Sequence, residues 1–387
     1  MTAGFAEREL RSVADATFVV APKSVAGGAD LLDLCDAALR APVGTPPIAE
    51  LAQVARSIVI VVSDASRDEP RHAMLTALLS VVPRSRTSLI VASGTHAPGD
   101  ASVVPDSFRD LPLLVHDGGQ RAAMRDLGKT SRNTRVRLQC RVADADLVIV
   151  TGRVRPHYFA GFSGGVKGVF PGCALAEDAL TNHRLKAHPS ARLGSVEHNV
   201  CRLDMEEAAS RLPGRLAILN VLCDVDGTPV AAASGHPVHA HRKLAAAARE
   251  LFGVALPATD VLVVGDRPPV THTLYQASKL VAPAGAVLND GGVVIVVADC
   301  NGGTGPLERV NEGIYALGLV PQLPSAHEVW LVSTLPAELV DRTYARPVAS
   351  LRRALSMLAE RTGTRLGDGP VPALWRAGEA IVTRGDS

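Results

Sequence analysis

The segment RPHYFAGFSGGVKGVFPGCA (155–174) holds the densest set of groups able to do chemistry. Ser163, Gly164 and Gly165, followed by Lys167, would bare backbone N–H groups around an anion while the lysine adds charge, the logic of a phosphate cradle. The loop is not a Walker A element, because G-x-x-x-x-G-K-[ST] is absent. His157 lies ten positions before Lys167 and His183 sixteen after it, in a segment that also holds Asn182 and His188. Imidazole serves both as a general base near neutral pH and as a metal ligand, so both roles are open to these histidines. No H-E-x-x-H or other compact spacing supports an ordinary zinc site. Upstream, Asp64 and Arg67 in SDASRDEP can orient an anionic substrate, the guanidinium gripping a carboxylate with two parallel hydrogen bonds. His96 in ASGTHAPGD is a further acid–base candidate.

These groups need a scaffold that brings distant loops together. Short apolar runs at 57–64, 88–96, 145–152 and 215–224 alternate with helix-like periodicity, clearest at 71–83, and predict a parallel sheet with ligands at the strands' carboxyl ends. Asp226-Gly227 predicts a hairpin turn, followed by a helix at 239–253. The rhythm restarts after Pro257 with strands at 259–266, 291–299 and 328–336, a helical stretch at 275–284 and a closing helix at 348–362. The segment 100–140 is polar and turn-rich and receives no assignment. The expected fold is two α/β domains with mainly parallel sheets and an active-site cleft between them. Residues 1–256 would form the cofactor-binding and catalytic domain, and 257–387 a second domain closing over the site.

Composition narrows the function. The chain has 387 residues with 47% apolar and 20% charged side chains, a globular balance, and no run approaches the ~18 consecutive apolar residues of a membrane span. Forty basic against 39 acidic side chains leave no field to draw it onto nucleic acid or anionic lipid, and 3% aromatics offer few platforms for stacking bases. Its six cysteines are scattered without a C-x-x-C pair, which predicts reduced thiols. The opening MTAGFAEREL has no basic region followed by an apolar stretch, so a cytoplasmic protein is expected.

Between about 41–51 and 295–303 the chain resembles the nickel-pincer-dependent lactate racemases and their 2-hydroxy-acid racemase and epimerase relatives. Asp64 and Arg67 match that family's Asp-x-x-Arg substrate motif, and His96 and His157 its two catalytic histidines. Lys167 matches the lysine joined to the cofactor, with Ser163, Gly164 and Gly165 beside it, and His183 the nickel-binding histidine. Tyr275, Gln276 and Lys279 in YQASK match a segment that contacts substrate and cofactor. The family loop usually reads FSGGRKS, and this chain has Val166 and Gly168 in place of the arginine and serine.

The resemblance implies a nickel-pincer nucleotide, a pyridinium mononucleotide whose thioacid and thioamide sulfurs hold nickel, supplied by cofactor-biosynthesis enzymes. It implies racemisation or epimerisation of a small-molecule 2-hydroxy acid by hydride transfer through a 2-oxo acid, each histidine serving one enantiomer. A diverged member acting on a sugar acid or in a related redox reaction is the nearest alternative. A catalytically silent cofactor- or metal-binding module is another, against which the two retained histidines speak.

Overall fold

The computed structural model describes residues 4–362 and 370–385 and divides into two compact units. The first comprises residues 24–186 and 194–250; the second takes the described residues up to Lys23, 187–193 and those from Leu251 onward.

In the first unit the elements are α1 (Leu31–Arg40), β1 (Ile58–Ser63), α2 (Arg71–Val81), β2 (Thr87–Ala92), β3 (Leu113–Val115), β4 (Leu147–Val154), α3 (Ala176–Arg184), α4 (Val200–Ala209), β5 (Arg215–Cys223), β6 (Pro229–Gly235) and α5 (His239–Phe252). Among the described residues its main sheet runs β6-β5-β4-β1-β2-β3, with every neighbouring pair parallel except the β5–β6 hairpin. Ile60 sits opposite Leu89 on one side and Ile149 on the other, and all three are completely buried. Such central strands read as unbroken apolar runs because both faces are covered. Met74, Leu75 and Leu78 of α2 and Cys35 and Leu39 of α1 cover one face, each large aliphatic contributing about 1.5–3 kcal/mol on burial. Asp30 starts α1 by accepting from Leu32 N and Asp33 N at 2.8 and 3.0 Å. The hairpin turns at Gly227, φ +92°, as the Asp-Gly pair predicts.

Chain order along this sheet reverses between β1 and β4. From β1 the chain proceeds outward to β2 and β3, then returns to lay β4 on β1's other side. A crevice at the carboxyl ends of two such strands is the customary ligand seat of open α/β sheets.

The second unit carries β7 (Thr259–Gly265), β8 (Leu288–Val297), β9 (His327–Val332), β10 (Arg346–Val348), α6 (Leu351–Thr362) and β11 (Val371–Trp375). Its main sheet, parallel throughout, has the N-terminal strand Thr17–Val20 at one edge, then β11-β7-β8-β9-β10. Here the expected division of 1–256 from 257–387 needs correction for the first residues. Thr17–Val20 pairs with β11, and Ala6, Leu10 and Val13 join the core of Val263, Ile295 and Trp330, so this segment belongs with the C-terminal half. The expected helix at 275–284 is one α-turn, Leu274–Ala277, continuing as a 3-10 segment, Ser278–Ala286. Pro283 lies within it and has no N–H to give an α-helical ladder. All six cysteines are free thiols, and among the described residues no helix is long and apolar enough to cross a membrane.

One glycine fixes the chain path ahead of the 163–167 loop. Gly161 has φ +75°, and an added Cβ would lie 1.7 Å from Ser195 O. Gly161→Ala should therefore destabilise the protein by about 3 kcal/mol or more, read as a lower thermal midpoint; an unchanged midpoint would refute this local path.

Candidate active site

Asp64 and Arg67 follow β1, His96 follows β2 and His157 follows β4, so three adjacent parallel strands deliver these groups to one sheet edge. The β1 loop is tied down by its own sequence. Glu69 Oε2 accepts from Ser63 N at 2.8 Å, while the Arg71 guanidinium donates to Ser63 O at 3.1 Å and Arg67 O at 3.0 Å. Asp64 is buried, and its Oδ2 lies 2.9 Å from His96 Nδ1. Burial alone would raise its pKa. Hydrogen bonds from His96 and Ser66, with the charges of His96 and Arg67, outweigh burial and hold the carboxyl below its ordinary range. The ionised carboxylate can only accept, so His96 carries a proton on Nδ1.

The 163–167 loop departs from the expected anion cradle of bared N–H groups. Ser163 N donates to Arg155 O at 2.8 Å and Gly165 N to Asn220 Oδ1 at 2.6 Å, so two of the three candidate donors are used internally. The Ser163 hydroxyl donates to Arg153 O at 2.6 Å and accepts from Arg155 N at 2.9 Å, lashing the loop to the end of β4. The reason is packing. The loop lies directly on β4 and β5, where a buried N–H without a partner costs about 1–3 kcal/mol. Gly164 and Gly165 have φ +73° and +62°, which lets the backbone approach Asn220 closely. Val166 is 2% exposed and lines a cavity of about 520 Å³. Gly168 sits against β4, where an added Cβ would lie 2.4 Å from Val150 Cγ1, so a serine does not fit this packing.

Phe159, which the sequence reading passed over, is the hub of the site. The His157 ring stands edge-on to it at 4.6 Å and the His183 ring at 5.2 Å, while Lys167 Nζ lies 5.5 Å from its centre. Asn199 fixes this ring's backbone by donating Nδ2 to Phe159 O at 2.8 Å, and its Oδ1 caps α4 at Arg202 N. Ala160 N donates to His157 Nδ1 at 3.3 Å, so that nitrogen is an acceptor and the ring's proton sits on Nε2.

His183 lies on the last turn of α3. Burial first, then the charges of Lys167, Lys186, His96 and Arg67, push its pKa down to about 3. Its ring is therefore neutral at physiological pH, with a nitrogen lone pair for a metal. The same interactions place Lys167, His96 and Arg67 within electrostatic reach of His183. Among the described residues no group of three or more His, Cys, Asp and Glu could hold a metal ion.

Tyr275, Gln276 and Lys279 lie in the second unit, on the turn Leu274–Ala277 and the 3-10 segment after it. Lys279 Nζ donates to Gln276 Oε1 at 2.6 Å and lies 5.1 Å from the Tyr275 ring centre. Thr273 starts the turn by accepting from Gln276 N, and Tyr344 fastens it by donating to Ser278 Oγ at 2.7 Å. Sequence reasoning also missed Arg71, Asn220, Arg202 and His241. Asn220, a lone amide inside the apolar run RLAILNVLC, was the one with a visible signal.

The model of the lactate racemase N-terminal domain matches residues 7–194. The lactate racemase of Thermoanaerobacterium thermosaccharolyticum is 33% identical over 296 residues, 73% of this chain and 68% of that one. That of Lactiplantibacillus plantarum is 31% identical over 286 residues, 71% of this chain and 66% of the relative. The structure of the lactate racemase apoprotein from T. thermosaccharolyticum matches with a TM-score of 0.83 at 26% identity, covering 95% of this chain and 94% of that one. A Thermotoga maritima protein shares the fold at a TM-score of 0.65 and 14% identity, over 93% of this chain and all of its own. By these matches the chain belongs to the lactate racemase family and is an isomerase.

Proposed function

We propose that this chain interconverts the enantiomers of a small 2-hydroxy acid such as lactate, using a nickel-pincer nucleotide joined to Lys167. The observation that carries this reading is the convergence of His157, Lys167 and His183 on the Phe159 ring, with the charges of His96 and Arg67 felt at His183. The donor set fits such a group. His183 offers one neutral imidazole, which suits a metal that brings its other ligands with it, as a pincer provides. Lys167 supplies the amine for the tether. When bound, the group serves as acceptor and donor of the substrate's hydride.

The chain's own residues do the remaining work. His96, held through Nδ1 by Asp64, takes the hydroxyl proton of one enantiomer at Nε2. His157 gives or takes the hydroxyl proton of the other enantiomer. Arg67 pairs with the carboxylate. Tyr275, Gln276 and Lys279 are assigned to substrate and cofactor contact on the resemblance alone.

The test is chiral analysis of lactate and a panel of aliphatic, aromatic and sugar-derived 2-hydroxy acids, with protein produced alongside the cofactor-making enzymes. Interconversion by loaded protein alone is expected. Fully loaded protein that racemises, epimerises and oxidises no panel member would leave the silent binding module as the better account. Arg67→Met should cut turnover about ten- to a hundredfold, as expected for a charge-assisted carboxylate contact worth about 1.5–3 kcal/mol, while the adduct mass stays unchanged. Parent-level turnover in that variant would remove Arg67 from substrate binding.

A further inference from the structure

We propose that His241 is a positioning residue for the 163–167 loop: its Nε2–H draws the Ser163 carbonyl inward and so turns the Gly164 N–H outward, toward a phosphate. The inference rests on the reading of Lys167 and its loop as the seat of a pyridinium mononucleotide.

His241 projects from α5 and is 1% exposed. Its Nε2 lies 2.8 Å from Ser163 O. A carbonyl oxygen only accepts, so the proton is on Nε2, and the buried Nδ1 is a lone pair with no partner. Burial, with the charges of Arg202, Lys167 and Arg242, holds the pKa well below the ordinary histidine value, which keeps the ring a neutral single donor. The unpartnered Nδ1 carries a free-energy cost, so the Nε2 bond is the contribution of this ring to the site.

The peptide joining Ser163 to Gly164 is planar and trans, so its C=O and N–H point in opposite directions. With the Ser163 carbonyl held by His241, the Gly164 N–H faces away from the buried imidazole. Arg202, itself fully buried, supports the same loop by donating Nε to Ala160 O at 3.3 Å and Nη1 to Gly164 O at 3.2 Å. Ser163 N–H and Gly165 N–H are held by Arg155 O and Asn220 Oδ1. Of the three loop amides, Gly164's is thus the one that these bonds direct outward. Gly164 also has no room for a side chain, because a Cβ there would lie 2.7 Å from Asn220 Oδ1. A backbone donor beside a lysine is suited to one phosphate oxygen.

The test is calorimetric titration of the full-length apoprotein with nicotinic acid mononucleotide, and with its riboside, which lacks the phosphate. Intact-mass measurement of the adduct in co-produced protein accompanies it. His241→Gln, whose amide nitrogen reaches the Nε2 position, should bind the mononucleotide within about threefold of the parent. His241→Phe and His241→Asn, which cannot donate to Ser163, should bind it about tenfold more weakly, with riboside binding unchanged. If His241→Phe does not fold, the Asn and Gln variants decide the matter between them. Equal mononucleotide binding by all variants overturns the proposal and leaves the cofactor reading standing. An equal loss for the riboside means that the loop has merely loosened, and also overturns it. If the parent binds no mononucleotide and acquires no adduct, the cofactor reading itself fails and the proposal falls with it.

Discussion

Protein carrying Lys167→Ala, produced with the cofactor-making enzymes, should show no covalent adduct in its intact mass and no racemisation above background. Lys167→Arg should behave in the same way. The guanidinium preserves the charge beside Phe159 but lacks the amine nitrogen a tether requires, so this pair separates covalent attachment from charge. His183→Ala should keep the adduct and lose nickel, measured as metal per protein after desalting. Fold should survive in all three. The Phe159 ring remains packed against His157, and Asn199 still holds its backbone, so the thermal midpoint is expected to stay within a few degrees of the parent. Undiminished adduct in Lys167→Ala would sink the assignment of the tether, and undiminished nickel in His183→Ala that of the ligand.

The second large effect concerns the two bases. Replacing His96 or His157 by alanine should slow racemisation in both directions by about 10²–10⁴-fold, because each full turnover needs one histidine to remove a proton and the other to return one. The half-reaction of the enantiomer that meets the remaining histidine should survive, visible as a single turnover of substrate deuterated at the reacting carbon. The two lesions should not be equivalent. His96 is held by an ionised carboxylate at Nδ1, whereas His157 accepts a backbone N–H at Nδ1 over 3.3 Å. Asp64→Asn should accordingly impair the half-reaction served by His96 and spare the one served by His157. A His96→Ala protein that interconverts enantiomers at the parent rate would exclude that histidine from the reaction.

Much of this was decided by local pattern. Strands β1, β2, β4 and β5 are β-branched apolar runs that are nowhere else at home than in a sheet covered on both faces, and their observed limits differ from the expected ones by a few residues at most. Because parallel strands place their carboxyl ends along one edge, the alternation alone put Asp64, His96 and His157 on that edge. The order and types of His157, Lys167 and His183 likewise carry the resemblance to the family.

What sequence could not supply depended on partners far away in the chain. Thr17–Val20 is an ordinary short apolar stretch until its register with Val371–Trp375, some 350 residues later, makes it an edge strand of the second sheet. Leu113–Val115 and the hairpin of Met124–Lys129 with Arg135–Gln139 went unassigned because these strands are short or charged and are held by pairing rather than by apolar periodicity. The loop at 163–167 is the clearest case. Its glycines promised freedom, but its peptide groups are bonded to Arg155, Arg202, Asn220 and His241, the last three drawn from α4, β5 and α5 and buried beneath it. Composition fixes which groups can donate; peptide planes turn toward whichever buried partners tertiary packing brings within about 3 Å, because leaving those groups unpaired costs more than the turn.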